Sequence, residues 1–314
     1  MLEIDKIYNM DCLEGMRQIP DGSIDAVICD LPYGTMKGAS IEGWVKAERD
    51  TSWDVCIPTM ELFDQYERVL RKDGVAILFS QEPYTSHLRD FKYRNSNFPF
   101  AYPLIWKKDT FGNPLAASKA PVSYFEDISV FYKQYDTHFD RPIRKYFAKV
   151  LEYIGKDKSV INAEIEGNTD HTFRLTSKHF VICNPHVYQQ FIDKYHIDQM
   201  EGFMSYEEVR AMDKDWTRTF NLPEGQNVMS NVLEFAKDTD GFHPTQKPVA
   251  LIRRLVLTYT NEGDTVLDNC MGSGTTAIAC IKEKRHFIGF ELSKEYFDKA
   301  QRRIKAEQAQ LTLF

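Results

Sequence analysis

The feature that most constrains the fold is a series of short apolar runs that end in polar residues and alternate with amphipathic helical patterns. Six of these runs are typical of buried strands, at 24–30, 74–80, 102–108, 126–133, 264–270 and 286–292. Helical patterns lie between several of them, at 59–74, 247–263 and 274–285. Strands that alternate with helices of this length predict an α/β fold, with a mainly parallel sheet covered on both faces.

The alternation stops between residues 136 and 231, which predicts an inserted domain. An amphipathic helical stretch runs from Ile143 to Ile154, and a short helical pattern at 158–165 precedes a glycine turn, as in part of a helix-turn-helix. We therefore expect three segments: a first sheet segment at 1–135, a mostly helical insert at 136–231 and a second sheet segment at 232–314.

Composition indicates a globular protein, because 43% of the residues are hydrophobic and 27% are charged. The first twelve residues lack the basic flank and apolar core of a secretion signal, and no apolar run is long enough to span a membrane, so we expect a cytoplasmic location. The six cysteines form no C-x-x-C pair and no closely spaced Cys/His set. Their scatter argues against a disulfide framework and a structural zinc site.

The formal net charge of -7 is unevenly distributed along the chain. Residues 81–120 carry six Lys or Arg against three Asp or Glu, and residues 141–195 carry nine against six. Because phosphate contacts need local positive charge, these segments predict a basic face on an acidic body. Charge that only contacts solvent is the alternative for either segment.

A glycine loop, LDNCMGSGTT, lies near the C-terminus at 267–276. Gly272 and Gly274 allow the backbone to approach a ligand closely, and the helix that begins near Thr275 offers unpaired N–H groups. The spacing also fits a dinucleotide-binding loop, with Glu291 placed to hold ribose hydroxyls. Asp268 would repel a pyrophosphate but could hold an ammonium group. A ligand with a ribose and an α-amino acid but no phosphate is S-adenosylmethionine, and an ordinary glycine turn is the alternative.

A second motif, DLPYG at 30–34, follows an apolar run at the predicted carboxyl end of a strand, the edge at which open α/β sheets bind ligands. Asp30 and the carbonyl of Leu31 supply two acceptors whose geometry Pro32 restricts. Two acceptors match one exocyclic amino group, and holding both of its hydrogens turns the nitrogen lone pair toward an in-line methyl donor. Tyr33 offers a ring against which a base can stack. A Pro-Tyr turn at a strand end is the alternative.

With the two motifs in this order, the sequence resembles the beta-class amino-group DNA methyltransferases, in which the catalytic motif precedes the cofactor motif. The resemblance covers residues 4–132 and 240–305 and includes HPTQKP at 243–248. It implies a circularly permuted Rossmann-like methyltransferase sheet with an inserted, mostly helical DNA-recognition domain. It also implies S-adenosylmethionine as the cofactor, with no metal.

The resemblance assigns roles to individual residues. Those matching the catalytic motif are Asp30, Leu31, Pro32 and Tyr33. The cofactor-binding residues that it implies are Asp11 near the adenine, Thr245 and Lys247 near the carboxylate, Asp268, Gly272, Gly274 and Thr275 on the methionine side, and Glu291 at the ribose. Candidate phosphate contacts in the basic segments are Lys107, Lys108, Lys145, Lys149, Arg174 and Lys178.

The chain departs from the family pattern at two places. Leu31 stands where the family usually has a second proline, which keeps the needed carbonyl but predicts a looser turn. Asn269 and Cys270 stand where the family usually has a Pro-Phe pair. Without that aromatic ring, we expect the protein to pack less closely around the cofactor.

These features predict a site-specific methyltransferase that acts on the 6-amino group of a flipped adenine in double-stranded DNA. The choice of adenine depends on Asp30, since Asp at this position goes mostly with adenine in the family and Ser with cytosine. Methylation of the 4-amino group of cytosine and a DNA-binding protein without turnover are the alternatives. The order of the motifs disfavours a protein-glutamine methyltransferase, and Asp268 disfavours a nicotinamide dehydrogenase. A homodimer and a cognate restriction endonuclease are partners that the resemblance allows.

Overall fold

The structure is a computed structural model that describes residues 2–33, 55–90, 98–112, 117–133, 141–167, 169–177, 179–213, 218–238 and 246–311. The chain divides into two compact units. One consists of Met1–Gln134 together with Arg218–Phe314, and the other of Tyr135–Thr217. The first unit is therefore assembled from both ends of the chain.

The first unit is built on a mixed sheet that has eight strands within the described residues. In chain order they are β1 (Lys6–Tyr8), β2 (Ile24–Asp30), β3 (Leu70–Ser80), β4 (Phe100–Gly112), β5 (Ser123–Tyr132), β6 (Val232–Glu234), β7 (Thr265–Asp268) and β8 (His286–Phe290). Across the sheet the order is β1-β8-β7-β2-β3-β5-β4-β6. Only β5 runs antiparallel to its neighbours, β3 and β4. The expected α/β fold is confirmed.

Strands from the two ends of the chain are interleaved in this sheet. Strand β2 pairs in parallel with β3 on one side and with β7 on the other, and β1 pairs in parallel with β8. All six apolar runs form strands of the sheet. Strands β1 and β6 have three residues each, and the sequence patterns do not predict them because so short a segment shows no periodicity.

Helices cover both faces of the sheet, as the alternation of side chains along a buried strand requires. Ala26 and Ile28 of β2 face one core with helices α8 (Val249–Tyr259), α9 (Thr275–Lys282) and α10 (Lys294–Leu311). Val27 and Cys29 face the other core with helices α1 (Cys12–Met16), α2 (Thr59–Val69) and α3 (Tyr84–Asp90).

Helix α2 ends earlier than its sequence pattern predicts. The pattern extends to Gly74, but the helix stops at Val69 because Leu70 is already extended and pairs with Ile24 of β2. A Cβ atom on Gly74 would lie 2.9 Å from a backbone oxygen of Arg71. The tight entry into β3 therefore replaces the last predicted helical turn.

The second unit is mostly helical, as expected. It contains α4 (Pro142–Ile154), α5 (Lys158–Glu164), α6 (Pro185–Tyr195), α7 (Tyr206–Asp213) and a short 3-10 helix at Ile197–Gln199. Its core is largely aromatic, with the buried ring of Phe147 packed edge-on against Phe173, Phe180 and Tyr188. This unit therefore has a hydrophobic core of its own.

The second unit ends at residue 217, earlier than the predicted boundary at 231. The backbone N–H of Asn221 donates to the carbonyl of Thr258 at 2.7 Å, and its side-chain amide donates to the carbonyls of Leu257 and Thr260 at 3.0 Å each. These bonds join the segment after residue 217 to the end of α8, so it belongs to the sheet unit. None of the helices in the described ranges is long and apolar enough to cross a membrane.

Candidate active site

The expected site residues follow four neighbouring parallel strands. Strands β1, β8, β7 and β2 lie side by side and run in the same direction. Their carboxyl ends therefore share one edge of the sheet. Asp11, Glu291, Asp268 and Asp30 lie at or just beyond these strand ends, which brings the two halves of the chain together at that edge.

The glycine loop between β7 and α9 depends on two left-handed backbone positions. Gly272 has φ +52° and Gly274 has φ +80°, a region that side chains disfavour. A Cβ atom on Gly274 would also lie 3.2 Å from the Cβ atom of Ala300 on α10. The loop therefore needs glycine at Gly274 for its conformation and for its packing.

Glu291 is held rigidly beside this loop. The backbone N–H of Gly272 donates to its Oε2 at 2.8 Å, and the N–H of Ser293 donates to its Oε1 at 2.8 Å. Burial raises the pKa of Glu291. The backbone N–H of Leu292 also stabilises the charged form of this carboxylate. A carboxylate has about four acceptor positions, so one remains for a hydroxyl group of a ligand.

Asp268 is almost completely buried at the end of β7. Its Oδ2 accepts from the hydroxyl of Thr276 at 2.6 Å, and its Oδ1 accepts from the backbone N–H of Cys270 at 3.1 Å. Burial raises the pKa of Asp268 to about 7. The carboxyl group is therefore fixed in place, and its charge changes near neutral pH.

Thr275 and Asp11 have structural partners of their own. The hydroxyl of Thr275 lies 3.0 Å from that of Ser273 and accepts from Arg303 of α10 at 3.1 Å. Asp11 caps α1, accepting from the N–H groups of Leu13 and Glu14. Both residues shape the edge of the sheet, and their contacts with a cofactor stay predictions.

Asn269, at one of the positions that depart from the family pattern, has a clear structural role. Its side-chain oxygen accepts from the hydroxyl of Tyr66 at 2.6 Å, and both residues are buried. The bond ties the glycine loop to α2. The sequence patterns do not predict Tyr66 as part of this region, because it lies on the buried face of a helix far away in the chain.

The catalytic motif places two acceptors at the end of β2. Asp30 is the last residue of the strand, and its Oδ1 is buried without a hydrogen-bond partner among the described residues. The side chain of Leu31 is buried in the core beneath α2, which fixes the position of its carbonyl group. Pro32 and Tyr33 follow and are partly buried.

The other oxygen of Asp30 binds Lys247. Lys247 Nζ lies 2.5 Å from Asp30 Oδ2 and 3.1 Å from Glu126 Oε2. The ammonium group of Lys247 thus lies between two carboxylates of the protein. The sequence predicts that Lys247 contacts the carboxylate of the cofactor, and that contact stays a prediction. Thr245 lies outside the described residues.

Lys108 completes a line of alternating charges. Its Nζ donates to Glu126 Oε1 at 2.5 Å, and it is buried with a relative exposure of 6%. The expectation that Lys108 contacts phosphate is therefore wrong, since alternation along β4 turns it inward. We call Asp30, Lys247, Glu126 and Lys108 the charge chain.

The remaining basic candidates lie at the surface. Lys107, on the opposite face of β4, pairs with Glu234 at 2.9 Å. Lys145 and Lys149 are exposed one turn apart on α4, and Arg174 is exposed and pairs with Asp170. Lys178 lies outside the described residues. Contacts of these side chains with phosphate stay predictions. Within the described ranges, no group of three or more His, Cys, Asp or Glu side chains could hold a metal ion.

Comparison with known proteins identifies a family to which the chain is similar. Residues 24–302 match the N6 and N4 methyltransferase family model described as DNA methylase. The chain is 23% identical to the Type II methyltransferase M.HindIII of Haemophilus influenzae, over 97% of this chain and 96% of the relative. It is 25% identical to the DNA adenine methyltransferase YhdJ of Escherichia coli, over 96% and 83%.

A solved structure shares the fold. The M1.HpyAVI-SAM complex superposes with a TM-score of 0.54 and 20% sequence identity, covering 95% of this chain and 98% of that one. The two chains therefore share a fold over almost their whole lengths.

The geometry of the glycine loop predicts a graded effect of two alanine substitutions. Gly274→Ala should lower the free energy of unfolding by more than Gly263→Ala. Both positions have a similar positive φ, which costs about 1–2 kcal/mol for an alanine, but only Gly274 has neighbouring atoms within 4 Å of the added Cβ. Chemical denaturation of both variants measures the difference. Equal losses would show that the contact with α10 does not constrain the loop.

Proposed function

Because the chain belongs to the DNA methylase family of N6 and N4 methyltransferases, we propose that it methylates the exocyclic 6-amino group of adenine in double-stranded DNA, with S-adenosylmethionine as methyl donor. The observation that carries this proposal is the pair of acceptors at the end of β2. Asp30 Oδ1 is buried without a partner among the described residues, and the carbonyl of Leu31 follows directly. A buried acceptor of this kind is costly unless a ligand satisfies it.

The residues at the strand ends fit the cofactor. Glu291 keeps an acceptor position for a ribose hydroxyl, and Asp268 supplies a carboxylate for the α-ammonium group. The loop around Gly272 and Gly274 lets the backbone approach closely. Bound there, S-adenosylmethionine supplies an electrophilic methyl group.

The acceptors of the catalytic motif prepare the amino group for attack. Asp30 Oδ1 and the carbonyl of Leu31 each accept one amino hydrogen, which draws the nitrogen lone pair out of conjugation with the base and directs it toward the methyl donor. Positive charge develops on this nitrogen as the new bond forms, and the ionised carboxylate of Asp30 stabilises it. Asp30 Oδ1 is also the atom placed to take the proton that the nitrogen then releases.

Tyr33 supports a flipped base. Its ring follows the two acceptors directly and is only partly buried, so we expect a flipped base to stack on it. Extraction of a base costs a few kcal/mol, and stacking on an aromatic ring returns about 1–3 kcal/mol. Tyr33 therefore offsets much of the cost of bringing the base to Asp30.

Adenine is favoured over cytosine by Asp30 and by the name of the Escherichia coli relative, a DNA adenine methyltransferase. The 4-amino group of cytosine is the second candidate, because a carboxylate accepts equally well from either base. The second unit, with exposed Lys145 and Lys149 on α4, is proposed to contact the DNA around the target. Dimer formation and a cognate endonuclease stay predictions.

The product identifies the target base. Purified protein is incubated with labelled S-adenosylmethionine and unmethylated genomic DNA, and the modified nucleoside is identified by mass spectrometry. We expect 6-methyladenine, and Asp30→Asn should lower its rate of formation by about 10²–10³-fold, as for the loss of one stabilising group. Asp21→Asn, an exposed aspartate ahead of the other end of β2, is the matched control.

Three other results are informative. Methylated cytosine would move the assignment to the second candidate. DNA without any methylated base would contradict the proposed function. Full activity of Asp30→Asn would contradict the role of its carboxylate.

Cofactor affinity should depend on pH through Asp268. Its pKa of about 7 is raised above the usual value, so the carboxylate is lost as the pH falls below neutral. Between pH 5.5 and 7, below the range in which the amino group of the cofactor titrates, affinity should rise about tenfold. Isothermal titration calorimetry measures it. The same slope in Asp268→Asn would assign the effect to another group.

The salt dependence of DNA binding tests the second unit. A plot of log affinity against log salt concentration has a negative slope, to which each phosphate contact contributes about 0.9. Replacing both Lys145 and Lys149 with glutamine should therefore make this slope shallower by about 2. Lys284→Gln should leave the slope unchanged, because this exposed lysine lies ahead of β8, at the opposite edge of the sheet. Slopes that do not change in the double variant would exclude α4 from the DNA interface.

A further inference from the structure

We propose that Lys247, Glu126 and Lys108 are positioning residues that hold the Asp30 carboxylate with one oxygen free and keep its negative charge available to the amino group. The proposal rests on the function proposed above, in which Asp30 accepts from the target base. It concerns three side chains to which the mechanism above gives no role, and for Lys247 it replaces the expected contact with the cofactor carboxylate.

The register of the sheet brings two acids of the charge chain to one face. Asp30 of β2 pairs with Phe79 of β3, and Phe79 pairs with Ile128 of β5. Residues paired across adjacent strands point to the same face, and so do residues two apart on one strand. Glu126, two residues before Ile128, therefore lies on the same face as Asp30, with β3 between them.

The two lysines approach this face from different elements. Trp106 of β4 pairs with Glu126, and Lys108 follows two residues later on the same face. Lys247 lies just before α8, which packs on this side of the sheet. Three separate stretches of chain thus place charged side chains next to Asp30.

The charge chain is closely paired. Lys247 Nζ donates to Asp30 Oδ2 at 2.5 Å, and Lys108 Nζ donates to Glu126 Oε1 at 2.5 Å. Lys247 Nζ also lies 3.1 Å from Glu126 Oε2, an ion pair that lacks hydrogen-bond geometry. Two carboxylates and two ammonium groups alternate, so the formal charges cancel. Lys247, Glu126 and Lys108 are 5%, 8% and 6% exposed. Charges buried to this extent persist only when they are paired.

Aromatic rings support both lysines. Lys247 Nζ lies 5.3 Å from the ring centroid of Phe79, and Lys108 Nζ lies 5.0 Å from that of Trp106. Cations at this distance are attracted to the ring face. The rings belong to β3 and β4, so they fix the lysines relative to the sheet that carries Asp30 and Glu126.

Four members are needed because a single lysine would neutralise Asp30. A lone ammonium at 2.5 Å would cancel most of the negative potential that the substrate meets. Glu126 also attracts the ammonium group of Lys247, and its own negative charge makes the electrostatic potential at Asp30 more negative. Lys108 in turn offsets Glu126. Asp30 Oδ1, which has no hydrogen-bond partner among the described residues, is left to face the amino group.

Other titratable groups surround Asp30 as well. Asp268 on β7, the Cys29 thiol on β2 and the hydroxyl of Tyr33 lie close enough to interact electrostatically with the charge chain. Burial raises the pKa of Asp30, and Lys247 opposes that rise while Glu126 adds to it. Removing Lys247 and removing Glu126 should therefore change the pKa of Asp30 in opposite directions.

The pH dependence of methyl transfer tests this opposition. Single-turnover rates with labelled S-adenosylmethionine and genomic DNA are measured from pH 5 to 9. The cofactor is kept at saturating concentration, so that the pH dependence of its binding through Asp268 does not contribute. The rate then falls on the acid side as Asp30 is protonated, and we call this part of the profile the acid limb. Lys247→Met should shift this acid limb upward by about 1–3 pH units, the effect of an opposite charge at this distance. Glu126→Gln should shift it downward and lower the rate at high pH.

Conservative variants and a neighbouring lysine provide controls. Lys247→Arg keeps the charge and should restore the position of the acid limb. Lys108→Met should shift it upward, less than Lys247→Met, because Lys108 acts on Asp30 mainly through Glu126. Lys107→Met, on the other face of β4, should leave it in place. Calorimetry should show cofactor affinity within about twofold of the wild type in Glu126→Gln, Lys108→Met and Lys107→Met, a change of well under 1.4 kcal/mol.

Several outcomes would overturn the proposal. Acid limbs that move in the same direction, or not at all, in Lys247→Met and Glu126→Gln would reduce the charge chain to a structural element. A large loss of cofactor affinity in Lys247→Met and Lys247→Arg with an unmoved limb would place Lys247 at the cofactor. A wild-type protein that methylates no DNA would overturn the proposed function itself, independently of the variants.

Discussion

The arrangement of the site depends on one carboxylate whose two oxygens have different surroundings. Asp30 ends a central strand, where one oxygen contacts an ammonium group and the other has no partner among the described residues. Folding alone would favour a fully paired or neutral side chain here, since an unsatisfied buried acceptor costs about 1–3 kcal/mol. The surrounding charges maintain this costly state, and in the proposed mechanism a hydrogen-bond donor on the substrate relieves it.

Sheet topology explains how such a site arises from distant segments. Asp30 and Asp268 follow strands that are adjacent in the sheet although one belongs to each end of the chain. The insert leaves the sheet after β5, and the chain returns through β6 at the outer edge. The strands that carry the acceptors and the glycine loop are therefore uninterrupted in space. The catalytic motif precedes the glycine loop in the sequence, but this order does not change the positions of the two motifs in the sheet.

The sequence predicts what local patterns determine. The six main strands, the glycine loop and the acceptors at Asp30 and Leu31 follow from apolar periodicity, turn residues and the chemistry of short motifs. The charge chain is not predictable in this way, because it requires the register of β2, β3, β5 and β4 together. Lys108 illustrates the limit: adjacent to Lys107 in a basic segment, it resembles a surface residue until the pairing of Trp106 with Glu126 shows that it faces inward. The boundary at residue 217 likewise depends on hydrogen bonds of Asn221 to a helix later in the chain.

The most direct test of this account is a crystal structure of the protein with a non-reactive cofactor analogue and DNA that contains its target sequence. The account predicts an extrahelical base whose amino nitrogen lies about 2.7–3.2 Å from both Asp30 Oδ1 and the carbonyl of Leu31, with Lys247 still bound to Asp30 Oδ2. A base whose amino group contacts neither acceptor, or a Lys247 that leaves Asp30 for the cofactor, would contradict it.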